Sequence, residues 1–395
     1  MRIRDELEGV LRAWHRYEIA RGGPAVIDFD CFPSGPTGDD VEDRLAVHNR
    51  LNALLDASAD DPHLQKQIVA HLTYLAALLG ERLDLNTYVE RTQGCKAVGW
   101  SNEYISQRGE LARQSLETLG LSWNTDTERN LEELEKPLAA HEAPDAIREA
   151  ADHFEPSIRQ ATGSEANYRL TIETANIDAY WSYWLDGAGS DVRLRLNLHT
   201  ARFTEVRARQ FALHEVLGHG LQSASFSAQC EQKEVPWVRL LSVHAPTQVL
   251  LEGLAQAWPL FVAASDGTLI ARVRLDHYLQ LVRAQLHLAI NARVSIDNCV
   301  SYARTRVPFW SDQTIADTLS DRGRDPLLRS YLWSYPAGLD WFAALADAGA
   351  AVAGEVLYAA YRQPLTPLQL QALWPDGPTI GGTASSLRLR QPPLS

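Results

Sequence analysis

Two histidines five residues apart, inside an apolar run with helical character, place an unusual demand on this chain. The run reads His214-Glu215-Val216-Leu217-Gly218-His219, with Phe211-Ala212-Leu213 before it and Gly220-Leu221 after it. A regular α-helix turns about 100° per residue, so positions five apart point about 140° away from one another. A π-bulge, with i→i+5 hydrogen bonding, returns them to nearly one face, and such bulges concentrate at functional sites. Gly218 and Gly220 weaken a helix at this point, each by about 1 kcal/mol relative to Ala. A helix selected only for stability would hold neither glycine there. The sequence therefore predicts a helix distorted so that both imidazoles face one point, rather than two unrelated core histidines.

Two imidazoles and a carboxylate packed this closely are what a hydrolytic zinc site requires. The histidines, His214 and His219, hold one zinc ion, and Glu215 takes a proton from the water that the metal activates. The usual form of this pattern is H-E-x-x-H. A third ligand is expected from the next helical run, Pro246 to Trp258, where Glu252 is the one ionisable residue. A buried carboxylate without a partner is costly, and a metal ion would satisfy it. Thr247 is the expected N-cap of this helix. Gln248 and Gln256, at i−4 and i+4, share the face of Glu252 and are expected to support it by hydrogen bonds. Glu231, Glu234 and His244 are alternative ligands in a polar segment that reads as a loop.

On these residues the chain resembles the H-E-x-x-x-H gluzincins, a group of zinc peptidases. His214 to Gly220 is similar to the His-Glu-Leu-Leu-Gly-His-Gly run of dipeptidyl peptidase III. Glu252-Gly253-Leu254-Ala255 resembles the Glu-Gly-Leu-Ala of tubulin tyrosine carboxypeptidases and their bacterial relatives, as does the separation of the two motifs. A broader likeness, over roughly residues 192–375, is to a bacterial gluzincin-like family carrying His-Glu-x-x-Pro-Gly-His-His-Leu-Gln and then Glu-Gly-Trp-Ala. Gly218-His219-Gly220-Leu221-Gln222, Glu252-Gly253-Leu254-Ala255, Tyr335-Pro336-Ala337-Gly338 and Pro364-Leu365-Thr366-Pro367-Leu368 fall in the same order. The chain departs from that family in three places. Its first motif is one residue shorter and lacks the proline, Leu254 stands where the family has Trp, and Arg329 is out of register with the family's Arg-Tyr. The resemblance implies a zinc peptidase whose substrate differs. By the same likeness Tyr335 is expected to steady the developing oxyanion, with Tyr331 behind it. Arg329 is a candidate for a substrate carboxylate.

The 395 residues suffice for one large or two modest domains. A net charge of −13 argues against nucleic acid and anionic membranes as partners. Cys31, Cys95, Cys230 and Cys299 are scattered without zinc spacing and read as reduced structural thiols. The opening Met-Arg-Ile-Arg-Asp-Glu-Leu-Glu has no apolar core of a signal peptide, and a cytoplasmic location is expected.

Apolar spacing predicts helices over Asp5 to Ala20, Val41 to Leu55, His63 to Leu79, Tyr104 to Leu119, Glu128 to Ala140 and Pro144 to His153. These form an N-terminal helical region, 1–160. The catalytic region, 161–380, opens with alternating segments at Tyr168 to Ala175 and Val192 to His199. An aromatic run, Ala179 to Leu185, and a turn at Asp186 to Gly189 lie between them. The fold class is thus mainly α, with a small antiparallel sheet just before the zinc-binding helix. An edge strand of that sheet could receive an extended peptide, and His199 at a strand end is a candidate substrate contact. Helices resume after Glu252 and run to about Tyr361, with loops near Pro308 and at Asp321 to Pro326. Residues 381–395 read as a mobile tail.

The expected function is hydrolysis of peptide bonds in short peptides or peptide-like substrates by one zinc ion. The alternatives are a zinc-dependent tailoring enzyme acting on a small biosynthetic substrate, and a non-catalytic helical protein that keeps a structural metal.

Overall fold

Many of the helices begin where the sequence supplies a capping oxygen. Asp43, Asp61, Asp84, Ser101, Thr204 and Asp266 each accept a first-turn N–H from the helix they open. The computed structural model describes residues 2–178 and 182–383. It is mainly helical, with one small mixed five-stranded sheet. Ala179, Tyr180 and Trp181 of the aromatic run, and residues 384–395 of the tail, lie outside the described residues. Gly381 and Gly382, expected in that tail, are buried, and the Gly381 carbonyl accepts the Gly99 N–H at 2.9 Å.

The early helices fall into two groups. Ile3–Ala20, Arg44–Ala57 and Pro62–Leu78 enclose their own core of Leu7, Leu11, Trp14, Leu51, Ile68 and Leu75, joined by Val238 and Leu240. Leu85–Gln93, Asn102–Thr118, Thr127–Leu134 and Ala143–Thr162 share instead the large core of the metal-ligand helices. Three helix assignments change, the first being that the helix expected to reach Ala140 stops at Leu134, with Pro137 forming a β-bridge to Thr204. Leu85–Gln93 was not expected, although its Asp84 cap, its buried Leu85, Tyr88, Val89 and Thr92, and its left-handed Gly94 stop are all legible. Ala143–Thr162 runs nine residues past His153, straight through Pro156. Proline there removes the hydrogen bond to the carbonyl of Asp152, a residue on the solvated face, where water can satisfy it.

The sheet is mixed rather than antiparallel. Its strands are β1 (Phe29–Asp30), β2 (Arg169–Ala175), β3 (Tyr183–Ala188), β4 (Asp191–Asn197) and β5 (Leu240–Leu241), in the order β2-β4-β3-β1-β5. The aromatic run supplies β3, which forms a hairpin with β4, paired Tyr183↔Leu196 through Ala188↔Asp191. The turn is tighter than expected, with Gly189 left-handed. β2 lies parallel to β4, and β1 and β5 arrive from distant segments to extend the sheet beyond β3. Alternation within a strand reveals its two faces but not its partners.

Three helices carry the motif residues. The first is continuous over residues 205–232, and its centre, Ala212–Leu221, is π-helical. The second is Gln248–Val262, and the third Ser334–Asp347. The second and third cross at glycines. A Cβ on Gly253 would lie 2.4 Å from Gly338 Cα, and one on Gly338 would lie 2.3 Å from the Val249 carbonyl oxygen. Gly218 plays the same part between the first and second helices, since a Cβ there would meet Ala255 Cβ at 2.8 Å. Gly220 admits Val192 of β4 in the same way, at 2.8 Å. These glycines therefore permit close packing, beyond the local weakening that the sequence suggests. Among the described residues no helix is long and apolar enough to cross a membrane.

Gly338→Ala cannot be relieved by a side-chain rotation, because the obstructing atoms are backbone. We expect it to lower stability by about 1–3 kcal/mol or more, the range for an overpacked core. Chemical denaturation would measure this, and a matched Gly354→Ala, where a Cβ meets nothing within 4 Å, should leave stability within about 1 kcal/mol.

Candidate metal centre

The π-helical register does what the spacing demands. His214 and His219 stand together with Nε2 atoms 3.1 Å apart and rings edge to face, centroids 4.8 Å apart. Thr204 starts the helix that leads into this segment, accepting the Arg207 N–H at 3.0 Å. Within the segment the Leu217 carbonyl accepts the Tyr361 hydroxyl at 2.7 Å. Glu252 reaches across from the second helix. Its Oε2 is 3.4 Å from His214 Nε2 and its Oε1 is 3.6 Å from His219 Nε2. His214, His219 and Glu252 thus form a candidate metal-binding group whose ligand atoms all lie within 4.8 Å of one another.

The chemistry of this set suits a divalent cation. Two imidazole nitrogens at 3.1 Å require something positive between them, a proton or a metal ion. Glu252 Oε2 is buried and has no hydrogen-bond donor. A carboxylate oxygen in that position is costly unless a cation compensates it. Burial alone would raise the Glu252 carboxyl, but the charges of His219 and His214 outweigh it and hold the group well below the usual carboxylate range. Burial likewise works to lower His219, and Glu252 overcomes it, so His219 lies above its ordinary value. Nitrogen and carboxylate ligands in a two-His, one-Glu set are characteristic of open catalytic sites with a further coordination position.

Around this group sit three more polar side chains. Glu215 is buried, with Oε1 3.8 Å from His214 Nε2. Burial raises its carboxyl above the ordinary value, Glu252 adds to that, and the two histidines oppose it. A raised carboxyl next to a cation site is the setting of a general base. Tyr331, the last residue of the helix Pro326–Tyr331, donates its hydroxyl to Glu252 Oε1. Its proton is thereby committed, so the Tyr335 hydroxyl, 2.7 Å away, donates to the Tyr331 oxygen. Tyr335 can redirect that proton toward a bound molecule, while Tyr331 orients a ligand.

Two cavities meet at the centre. The larger, about 750 Å³, is lined by His219, Glu215, Glu252, Tyr331 and Tyr335, with Asp28, Tyr74 and residues Tyr183 to Leu185 of β3 among its walls. The smaller, about 290 Å³, is lined by His214, Glu215 and Tyr335 together with Arg202, Arg207 and Phe211. Glu215 and Tyr335 face both.

Other sequence candidates lie elsewhere. Arg329 is buried, bonds Asn291 Oδ1 at 2.6 Å and the Leu83 carbonyl at 2.8 Å, and stacks over Tyr88. It braces a helix junction and lines neither cavity. His199 is exposed beyond the end of β4, outside both cavities. Gln248 lines the larger cavity but donates to the Ser242 carbonyl, and Gln256 donates to the backbone carbonyl of Glu252. Neither touches the Glu252 carboxylate; the support there comes from Tyr331. Of the alternative ligands, His244 is buried against Tyr74 and His71, Glu234 pairs with Arg2 and Arg4, and Glu231 lies on the surface. Thr247 caps its helix by position only, without a side-chain hydrogen bond.

Sequence reasoning missed Asp28. It follows Ala25-Val26-Ile27 and precedes Phe29, one of two acids, with Asp30, in an otherwise apolar stretch, a weaker form of the sign that marks Glu252. The aromatic Tyr183 and Trp184 were seen as strand residues, without their place on the cavity wall.

No protein-family model matches the chain, and a comparison with curated proteins finds no match. Among solved structures the fold is similar to that of a "putative lipoprotein" from Colwellia psychrerythraea, with a TM-score of 0.52 and 13% sequence identity. The likeness takes in 83% of this chain and 59% of that one, so it extends over little more than half of the neighbour. At this identity it is a likeness of fold.

Glu252→Ala should abolish stoichiometric metal binding, measured as metal content after dialysis, and full retention would remove Glu252 from the ligand set. Tyr331→Phe should keep the metal but weaken its affinity by about 10–100-fold, the usual effect of losing a hydrogen bond to a ligand.

Proposed function

We propose that this protein is a zinc-dependent hydrolase of the gluzincin type, cleaving amide bonds in short peptides. The observation that carries the reading is the position of Glu215 and Tyr335. Each lines both of the cavities that meet at the His214–His219–Glu252 group. A substrate lying across the centre would place its scissile bond between a base and a phenol.

A zinc ion held by His214, His219 and Glu252 would supply Lewis acidity to the water and to the carbonyl under attack. Glu215 takes the proton of the attacking water and delivers it to the leaving amine. Its raised proton affinity suits both halves of that task. Tyr335 turns its hydroxyl from Tyr331 to the developing oxyanion, and Tyr331 holds Glu252 in place meanwhile. Water is limited by the apolar walls of the larger cavity.

The backbone favours a peptide. β1 pairs only with Gly187 and Ala188 of β3. Among the described residues no strand pairs with Tyr183 to Asp186 on the side away from β4. That open edge borders the larger cavity, and an extended chain can add to it by main-chain hydrogen bonds. A small biosynthetic amide would fit the cavity's volume but would leave this edge unused.

Glu215→Gln should retain the metal and lose hydrolysis of short peptides by a factor of about 100 to 10,000, the usual contribution of a general base. Metal content and turnover on a mixed dipeptide and tripeptide library measure both. A metal-loaded variant with undiminished turnover would remove Glu215 as base. Absence of amide hydrolysis in the zinc-loaded wild-type protein would remove the reading.

A further inference from the structure

We infer that Asp28 is a recognition site for an ammonium group of the substrate, held in the larger cavity beside the metal centre. The inference rests on the hydrolase reading for its orientation and adds the chemical class of the substrate.

Asp28 stands immediately before β1, and its backbone N–H donates to the Leu241 carbonyl at 2.9 Å. The next residue, Phe29, pairs with Gly187 on one side and Leu241 on the other, so the acid adjoins a strand held on both sides. Its side chain lines the larger cavity with His219, Glu215 and Glu252. The carboxyl accepts one hydrogen bond from the backbone of Val243. Its other oxygen, Oδ2, is buried and has no donor. Burial, followed by the charge of Glu252, pushes this carboxyl up to about 7, which marks a carboxylate short of a cation.

Within the cavity the one cationic group that acts on Asp28 is the metal-ligand candidate His219, which Glu252 already claims. Among the described lining residues there are four acids, Asp28, Glu215, Glu252 and Asp325, and neither Lys nor Arg. A metal ion at the centre compensates Glu252 and acts on Glu215, but Asp28 belongs to a different element and is not part of the ligand group. Much of the remaining wall is apolar or aromatic, including Tyr74 and Trp184. Aromatic faces and one buried carboxylate are what a desolvated ammonium requires. The smaller cavity differs in carrying Arg202 and Arg207, the latter paired with Glu128, beside the shared Glu215. The larger cavity is therefore the one that receives the ammonium group of a short peptide. The ammonium comes either from a free amino terminus or from a lysine side chain; both present the same group to Asp28.

The test is binding, separated from turnover. Zinc-loaded Glu215→Gln protein, with and without Asp28→Asn, is titrated calorimetrically with three probes: trileucine, N-acetyl-trileucine, and N-acetyl-Leu-Lys-Leu. We expect trileucine to bind at least about tenfold more tightly than its acetylated form, the effect of one charge-assisted hydrogen bond. Asp28→Asn should abolish that preference. N-acetyl-Leu-Lys-Leu binding as well as trileucine assigns the site to the side-chain ammonium; binding as poorly as N-acetyl-trileucine assigns it to the amino terminus. Equal affinities of all three probes for the Asp28 protein, no binding by any of them, or a preference that survives Asp28→Asn, each overturns the inference. Thermal denaturation guards against misfolding, since removing an unpaired buried charge should leave Tm no lower. Because none of these readouts involves hydrolysis, failure here leaves the hydrolase reading standing, and failure of hydrolysis leaves the binding result intact.

Discussion

The contact between Gly253 and Gly338 governs the geometry of the centre. Backbone meets backbone there, with no side chain to accommodate a change of distance. Glu252 is one residue before the first glycine, and Tyr335 is three residues before the second. The crossing therefore sets how far Tyr331 and Tyr335 stand from Glu252, and Gly218 against Ala255 sets how far Glu252 stands from the histidines. Charged and polar groups with unmatched valences are held in place by small residues that carry no chemistry of their own. The interior of a protein is packed too densely for such a crossing to shift gradually.

Much of this could be read from the chain before any coordinates. The five-residue spacing required a distorted helix, and a π-helical segment occupies Ala212–Leu221. A lone acid in an apolar helix required a partner, and Glu252 faces both histidines. These inferences worked because each rested on a local conflict that only one tertiary arrangement relieves. The sheet was harder. β2 and β4 each alternate clearly, yet nothing within them announces that they run parallel or that Phe29–Asp30 and Leu240–Leu241 join them. Two-residue strands carry no period to detect.

Arg329, Gln248 and Gln256 show where position along a helix misleads. A shared face predicts proximity of side chains, not which acceptor a long flexible donor will choose. Gln256 satisfies the backbone carbonyl one turn back, and Arg329 satisfies Asn291 and Leu83 in a junction far from the cavity in function. Tyr331 takes the role foreseen for the glutamines because it approaches from another helix with a rigid ring and a single donor. Asp28 escaped notice because its partner segments, β3 and β5, are far away in the chain, so no local pattern points from it to His219 or Glu252.

The π-helical register also bears on how this sequence relates to the four-residue form of the motif. Deleting one residue between His214 and His219 would restore ordinary α-helical spacing and keep the imidazoles on one side. Because the π-helical turn itself absorbs the extra residue, His219 and every later residue of the helix would keep their places. The contact of Gly220 with Val192, one residue past His219, would be kept with them. The extra residue is thus a local affair: the two versions of the motif differ by a single codon-length step that one helical turn takes up, leaving the surfaces on either side as they were.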